Sequence, residues 1–213
     1  MGEADRPVIR RAGAQDMADV AEIYLAAFPD SLTDLGLEGV RPLAVDDVMA
    51  ICLDAEPEGF LIATIDGRPA GYVICPSEAA RIRRAGLRRL PTIAWRWLTG
   101  RYGVGLRVAL RLAREKLMFW RHADLPGADC PARILSLAVH PRGQGRGLGK
   151  ALMAAALAYL GAQGATCVRL EVRPDNAPAR HIYEKTGFRS VGQVHDTRGP
   201  WEVMILELGS PDG

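Results

Sequence analysis

The sequence predicts an α/β (α+β) fold in which a mixed, mostly antiparallel sheet is flanked by helices. Three observations carry this prediction. Apolar runs on either side of the turn pair Asp66-Gly67 are typical of a β-hairpin. A strand over residues 133–139 leads through a glycine-rich loop into a helix rich in alanine and leucine. The last two strands of the chain are expected to be antiparallel to each other.

The individual elements follow from local patterns. Residues 7–11 form a short strand, and residues 12–28 carry apolar side chains at helical spacing until Pro29 ends the helix. A second helix is expected over residues 44–53. The hairpin strands are residues 59–65 and 71–75. Beyond residue 133 we expect strands at 133–139, 167–172, 189–194 and 202–208, with helices at 147–162 and 177–185.

Length and composition indicate an ordinary globular protein. The chain has 213 residues, of which 48% are hydrophobic and 24% charged, and we expect one domain over residues 1–213. The sequence shows neither a secretory signal nor an uncharged apolar run that could cross a bilayer, so we expect a cytoplasmic protein. We expect no metal site and four buried, reduced thiols, because the cysteines lack metal-ligand spacing: Cys52, Cys75, Cys130 and Cys167.

A basic insert over residues 77–131 separates the third and fourth strands. Helices are expected over residues 78–89 and 105–120, and the state of residues 92–98 between them is left open. Since the whole chain carries a net charge of only +2, the insert concentrates the positive charge. Its basic residues are Arg81, Arg83, Arg84, Arg88, Arg89, Arg96, Arg101, Arg107, Arg111, Arg114, Lys116 and Arg121.

Three interpretations of the insert compete. It is a helical lid docked through an apolar stripe with solvated arginines, a wall of an acceptor pocket for anionic substrates, or a contact surface for nucleic acid or an anionic membrane. Four aromatic side chains suit a membrane surface and ordinary packing equally well: Trp95, Trp97, Phe119 and Trp120. Peripheral contact with an anionic membrane stays open, whereas we do not expect a nucleic-acid partner.

The glycine-rich loop is suited to an anionic ligand. Gly143, Gly145, Gly147 and Gly149 leave main-chain N–H groups uncovered at the positive end of a helix dipole, which favours phosphate binding. The loop is not a P-loop, and the Gly-x-Gly-x-x-Gly fingerprint of dinucleotide-binding folds fails in every register. A plain glycine-rich turn is the remaining alternative. Positive charge is added nearby by Arg142, Arg146 and Lys150.

Two spaced motifs resemble those of the GNAT superfamily of N-acetyltransferases. Gln144-x-x-Gly147-x-Gly149 matches the superfamily's Gln/Arg-x-x-Gly-x-Gly/Ala motif. The segment from Asn176 through Tyr183 to Phe188 is similar to its second signature, at the usual distance. Together they cover about residues 133–208. Residues 170–176 also resemble the corresponding run of bacterial ribosomal-protein alanine acetyltransferases, although the long insert departs from that group.

The resemblance implies a cofactor site. In this superfamily the acyl donor is acetyl-coenzyme A and the acceptor is usually a primary amine, here of a small molecule or a peptide. Asn176 would bind the pantetheine region or fix the strand end, and Gln144 is the first position of the motif. The pantetheine arm would pair with the main chain of Leu137, Ala138 and Val139. The diphosphate would be held by the main chain of Gly145, Arg146, Gly147, Leu148, Gly149 and Lys150.

The resemblance also implies catalytic roles. Tyr183 would protonate the departing thiolate, and Glu171 would act as the base that deprotonates the amine, directly or through water. The N–H of Val139 would stabilise the oxyanion. The alternatives are a packing role for Tyr183 and a surface ion pair for Glu171. His140 and His181 are other candidate bases.

The expected reaction is direct transfer of an acetyl group to an amine. The alternative function is an acyl-coenzyme A-binding regulatory module without turnover. A third interpretation is transfer of a longer acyl chain, with the insert forming its groove. Homodimers are common in the superfamily, so a homodimer stays open here, as does the identity of the amine.

Overall fold

Two four-stranded sheets and five helices make up the described part of the chain. The computed structural model describes residues 7–28, 42–103, 127, 129–196 and 199–209. The strand orders are β1-β2-β3-β5 and β4-β6-β8-β7. The strands are β1 (Val8–Arg11), β2 (Phe60–Ile65), β3 (Arg68–Ile74), β4 (Ala132–Ile134), β5 (Ser136–Val139), β6 (Cys167–Val172), β7 (Arg189–Asp196) and β8 (Gly199–Glu207). The helices are α1 (Met17–Ala27), α2 (Pro42–Ala55), α3 (Ala79–Leu98), α4 (Leu148–Ala162) and α5 (Ala177–Thr186).

The predicted fold class is confirmed, and the hairpin shows why the sequence specified it. Strands β2 and β3 pair antiparallel around Asp66 and Gly67, whose φ angles are +50° and +75°. Positive φ at both central residues defines the tight turn whose twist matches that of the strands. Only the pair β4–β6 is parallel among the described strand pairs.

The strand predicted over residues 133–139 is two strands. β4 pairs with β6, whereas β5 pairs with β3 in the other sheet. The break lies at Leu135, which is 44% exposed and donates its N–H to the carbonyl of Ile74 at 2.8 Å. The chain therefore passes from one sheet to the other at this residue.

Two apolar clusters hold the elements together. One packs α4 through Leu152 and Met153 against buried residues of both sheets. The other packs α1 and α2 against the opposite face of β2 and β3, around Ile23, Phe60 and Tyr72. The sheets thus have apolar side chains on both faces near β3, which explains why the residues of β3 after Arg68 are all buried.

The basic insert begins with one long helix. The helix predicted over residues 78–89 and the stretch 92–98, whose state the sequence left open, form a single helix, α3, which continues through Pro91. Pro91 is exposed, and its ring costs one main-chain hydrogen bond without ending the helix. The helix predicted over residues 105–120 lies outside the described residues. Across the described chain, none of the helices has both the length and the apolar character to span a bilayer.

Two buried carboxylates tie α3 to the core. Glu56 accepts hydrogen bonds from Ser77 and from Arg81, the latter at 3.0 Å, and from the Tyr159 hydroxyl of α4 at 2.7 Å. Asp47 of α2 pairs with Arg96 and the Tyr102 hydroxyl near the other end of α3. Because each carboxylate is buried and satisfied by several donors, both ends of α3 are fixed.

The prediction of four reduced thiols is wrong for two of the cysteines. Cys130 and Cys167 form a disulfide with their Cα atoms 5.2 Å apart. They come together because β4 and β6 run parallel from the pair Ala132 and Val168, which lie two residues after Cys130 and one residue after Cys167. Cys52 and Cys75 are buried cysteines outside this bridge.

Candidate active site

The central feature of the site is a wedge between two diverging strands. Ile134 pairs with Leu170, which is the last pairing of β4 with β6. Beyond it, β5 pairs only with β3, while β6 continues to Val172 paired with β8. The edge of β5 that faces β6 therefore has no strand partner among the described residues. We call this gap between β5 and residues 171–172 the wedge.

Alternation decides which main-chain groups face the wedge. His140 donates its N–H to the carbonyl of Ala70, which continues the pairing of β5 with β3. In an antiparallel ladder every second residue directs its N–H and C=O to the partner strand. Ala138 therefore faces Tyr72 of β3. Of the three residues predicted to pair with pantetheine, Leu137 and Val139 direct their main-chain groups into the wedge, and Ala138 does not.

A row of main-chain N–H groups without an acceptor among the described residues follows the end of β5. The glycine loop (residues 143–149) begins at the last residue of a 3-10 turn over Pro141–Gly143 and ends in the first turn of α4, which has no side-chain cap. The first main-chain bond of the helix is from Ala151 N–H to the Gly147 carbonyl. Five preceding N–H groups donate to no described acceptor: those of Gly145, Gly147, Leu148, Gly149 and Lys150.

The space above the glycine loop is open at two glycines and filled at a third. A β-carbon placed on Gly145 or Gly147 would meet no atom within 4 Å, and both residues have φ near +78°. A β-carbon on Gly149 would lie 3.2 Å from the Ile182 side chain of α5. Gly149 thus allows α4 and α5 to approach closely, whereas Gly145 and Gly147 border open space.

The polar side chains of the loop point outward. Gln144, Arg146 and Lys150 are exposed, which places them where a ligand of the loop can be contacted. Arg142 is occupied elsewhere, because it donates to the Pro69 carbonyl at 3.0 Å and lies 3.6 Å from Glu22.

Tyr183 is positioned by a well-defined helix. Asn176 caps α5 by accepting a hydrogen bond from the Ala179 N–H at 3.2 Å, and Gly187 ends the helix with φ of +101°. Tyr183 is 8% exposed, and its ring centroid is 6.0 Å from that of Phe188. No described residue hydrogen bonds to its hydroxyl. Burial raises the pKa of Tyr183 to about 12, so the phenol keeps its proton at neutral pH.

Glu171 is part of a charged cluster at the narrow end of the wedge. Its Oε1 lies 3.0 Å from Nη1 of Arg133 on β4 and 2.7 Å from Nη2 of Arg169 on β6. Both contacts are to the same carboxylate oxygen. The ion pair considered from the sequence exists, but it is formed with Arg133 and Arg169, whereas Arg173 pairs with Asp196.

Arg169 is an unusual residue in this cluster. It has 0% exposure, and the contact with Glu171 is close but poorly aligned for hydrogen bonding. Its three guanidinium nitrogens have no aligned acceptor among the described residues. Burial lowers the pKa of Arg169 from its ordinary value, although the carboxylate opposes this shift. Removal of Glu171 would therefore leave a buried cation poorly compensated.

The two histidine alternatives fit other roles. His140 caps the 3-10 turn, since its Nδ1 accepts the Arg142 N–H at 3.1 Å and its Nε2 lies 3.6 Å from Glu22. His181 is exposed on α5. Within the described ranges, no three histidine, cysteine or acidic side chains are grouped so that they could hold a metal ion.

Sequence reasoning missed the role of Arg133. Alternation along β6 put Arg169 and Glu171 on one face, but Arg133 joins them only through the parallel register that pairs it with Arg169. No local signal in the sequence specifies that register.

The chain matches a known protein family over most of its length. A sequence model of the acetyltransferase (GNAT) family matches residues 17–188, which is well over half of the chain. The chain belongs to the GNAT acetyltransferase family. The resemblance seen in the two motifs is thereby confirmed.

Similarity to individual GNAT proteins is more limited. A mycothiol acetyltransferase of Rhodococcus opacus is 38% identical over 89 residues, which are 39% of this chain and 29% of that protein. The chain spans less than a third of the length of the mycothiol acetyltransferases it matches.

Two solved structures share the fold across nearly the whole chain. The ribosomal-protein-S18-alanine N-acetyltransferase of Escherichia coli superposes with a TM-score of 0.53 at 16% identity, covering 98% of this chain and 99% of that one. The yncA protein of Salmonella typhimurium, solved with its cofactor acetyl-CoA, gives a TM-score of 0.57 at 19% identity and covers 97% and 96%.

Proposed function

We propose that this GNAT protein transfers an acetyl group from acetyl-coenzyme A to a primary amine of a small molecule or a peptide. The observation that carries the proposal is the continuity of the wedge with the glycine loop. An open strand edge at Leu137 and Val139 leads directly to the N–H groups of Gly145 and Gly147, which donate to no acceptor in the described part of the chain. An extended arm that ends in a diphosphate needs these two features in this order.

Different groups of the chain would hold different parts of acetyl-coenzyme A. The main-chain N–H and C=O of Leu137 and the C=O of Val139 would hold the amide-bearing arm as a strand holds its neighbour. The N–H groups at the start of α4 would hold the diphosphate, with Arg146 and Lys150 adding charge. Gln144 lies at the start of this loop. Asn176 is engaged as a helix cap, so we assign it a positioning role for Tyr183.

The reaction is an attack of the neutral amine on the thioester carbonyl carbon. Glu171 accepts a proton from the amine, the C–N bond forms, and the N–H of Val139 donates to the carbonyl oxygen as it becomes negative. The C–S bond then breaks, and Tyr183 donates its proton to sulfur. A thiol in water has a pKa near 8.5, below that of Tyr183. Burial in the wedge disfavours the charged thiolate as well, so the gap between the two pKa values is smaller there than in water.

The arginine pair is consistent with Glu171 as the base. Arg133 and Arg169 both contact Oε1, which fixes the carboxylate and leaves Oε2 as the oxygen to receive the proton. A base held in one orientation transfers a proton more effectively than one that samples several.

The function is tested with two measurements on the full chain. Calorimetry with acetyl-coenzyme A measures binding, and release of free thiol in the presence of a panel of small amines and peptides measures turnover. We expect binding and amine-dependent thiol release. Binding without thiol release for any amine would favour a regulatory module, and absence of binding would contradict the proposed cofactor site.

Replacing Glu171 with glutamine should lower turnover by about 10²-fold or more, because the amide oxygen still accepts the hydrogen bond from Arg133 but cannot take a proton. The affinity for acetyl-coenzyme A should not change. Glu202→Gln is the matched control, since Glu202 of β8 also pairs with an arginine, Arg180, at 3.0 Å. Equal turnover in the two variants would show that Glu171 is not the base.

A further inference from the structure

Helix α3 has one face docked on the core. Ile82 packs against the apolar cluster of α1 and α2, Ala85 is buried, and a β-carbon on Gly86 would lie 4.0 Å from Ile51 of α2. Arg89 pairs with Asp54, and Arg96 pairs with Asp47. This inner face is therefore satisfied by α2 in both its apolar and its charged contacts.

The opposite face of α3 is apolar and exposed. Leu87 is 57% exposed, Leu90 51%, Trp95 65% and Leu98 71%. They are four of the seven large apolar side chains that are strongly exposed in the described chain, and all four belong to one helix. The positions recur at helical spacing, with Pro91 and Ala94 between them. A patch of this kind is not the scattered exposure found on most surfaces.

Positive charge borders this apolar strip. Arg83, Arg84 and Arg88 are exposed and form no ion pair with a described residue. The arginines of the inner face behave differently, because each pairs with a carboxylate of α2. We use the term outer face for the four apolar residues together with these three arginines.

We infer that the outer face of α3 binds an anionic phospholipid surface. A helix that lies in a membrane interface combines exposed leucine and tryptophan on one side with arginines beside them. Tryptophan is favoured at the boundary between headgroups and acyl chains. Each arginine near an anionic leaflet adds attraction that a neutral surface does not provide. The inference does not depend on the proposed acetyl transfer.

Other occupants fit the outer face less well. A second copy of the chain would bring the arginines of both copies into one interface in which α3 supplies no acidic partner, and such uncompensated charge is unfavourable. Nucleic acid would satisfy the arginines through its phosphates, but its backbone would leave the leucines and Trp95 in contact with water. An anionic lipid surface satisfies both kinds of side chain at once.

The test is co-sedimentation of the full chain with vesicles. We expect binding to vesicles of phosphatidylcholine mixed with phosphatidylserine. Binding to vesicles of phosphatidylcholine alone should be weaker by about tenfold or more. Raised salt should weaken the binding, because it screens the arginines. Absence of binding to the anionic vesicles at low salt would overturn the inference.

Two matched double variants test whether the outer face of α3 is the surface that binds the vesicles. Arg84→Gln with Arg88→Gln should reduce anionic-vesicle binding about tenfold. The control Arg68→Gln with Lys185→Gln removes the same charge from exposed positions elsewhere and should bind like the unmodified chain. Equal loss in both double variants would show that only net charge matters, and would overturn the assignment to α3.

A third variant tests the apolar contribution. Trp95→Ser with Leu98→Ser should reduce vesicle binding while leaving the melting temperature unchanged, because both side chains are exposed. Unchanged binding would contradict the inference. So would RNA binding that needs the arginines but not Trp95, or self-association in sedimentation velocity that these substitutions abolish.

Discussion

Replacing Tyr183 with phenylalanine should lower turnover by about 10²-fold or more while the affinity for acetyl-coenzyme A stays the same. The substitution removes only the hydroxyl, which donates to no described residue. The ring remains packed beside Phe188, so the fold should lose little stability. Steady-state kinetics of thiol release, together with calorimetry for the cofactor, measures both quantities.

Tyr159→Phe separates catalysis from structure. Its hydroxyl donates to Glu56 at 2.7 Å, so the loss of that bond should cost about 1.5–3 kcal/mol of unfolding free energy. Turnover of the folded protein should remain unchanged. Tyr183→Phe should show the reverse pattern, with lower turnover and a nearly unchanged melting temperature. Wild-type turnover in Tyr183→Phe would remove this residue from the mechanism.

Replacing Gly147 with leucine should weaken binding of acetyl-coenzyme A by about 10²-fold or more, as expected when two or more hydrogen bonds to a charged ligand are lost. The side chain would project into the open space above the loop, where we place the diphosphate. Titration calorimetry measures the change directly.

The glycine at the other end of the same helix provides the control. Gly164 has φ of +79°, close to the +78° of Gly147, and a β-carbon on it would also meet no atom within 4 Å. Both leucine variants should therefore lose a similar stability, about 1–2 kcal/mol, from the left-handed backbone. Only Gly147→Leu should lose cofactor affinity. Equal affinities would mean that the diphosphate does not lie over the loop.

Local chemistry explains what the sequence could predict. The turn at Asp66-Gly67, the glycine loop and the start of α5 each depend on residues close together in the chain, and each is found near its predicted position. Strand β6 has the predicted bounds for the same reason, since its apolar alternation is continuous. These features need no knowledge of distant residues.

Tertiary pairing explains what the sequence could not predict. The break at Leu135 exists because residues on either side pair with different strands. The contacts of Arg133 and Arg169 with Glu171, and the bridge between Cys130 and Cys167, depend on the parallel register of β4 and β6. The sequence left the state of residues 92–98 open, and the contacts of Arg89 and Arg96 with α2 hold both sides of Pro91 in one helix.

The anchoring of α3 at both ends has a consequence for its fluctuations. Glu56 joins the start of α3 to α2 and α4, and Asp47 joins its far end to α2. A surface helix attached at one end opens by fraying, and its amides exchange with solvent faster than those of the core. Here opening must break a buried carboxylate cluster first. The protected amides of α3 should therefore exchange together with those of α2, as one cooperative unit.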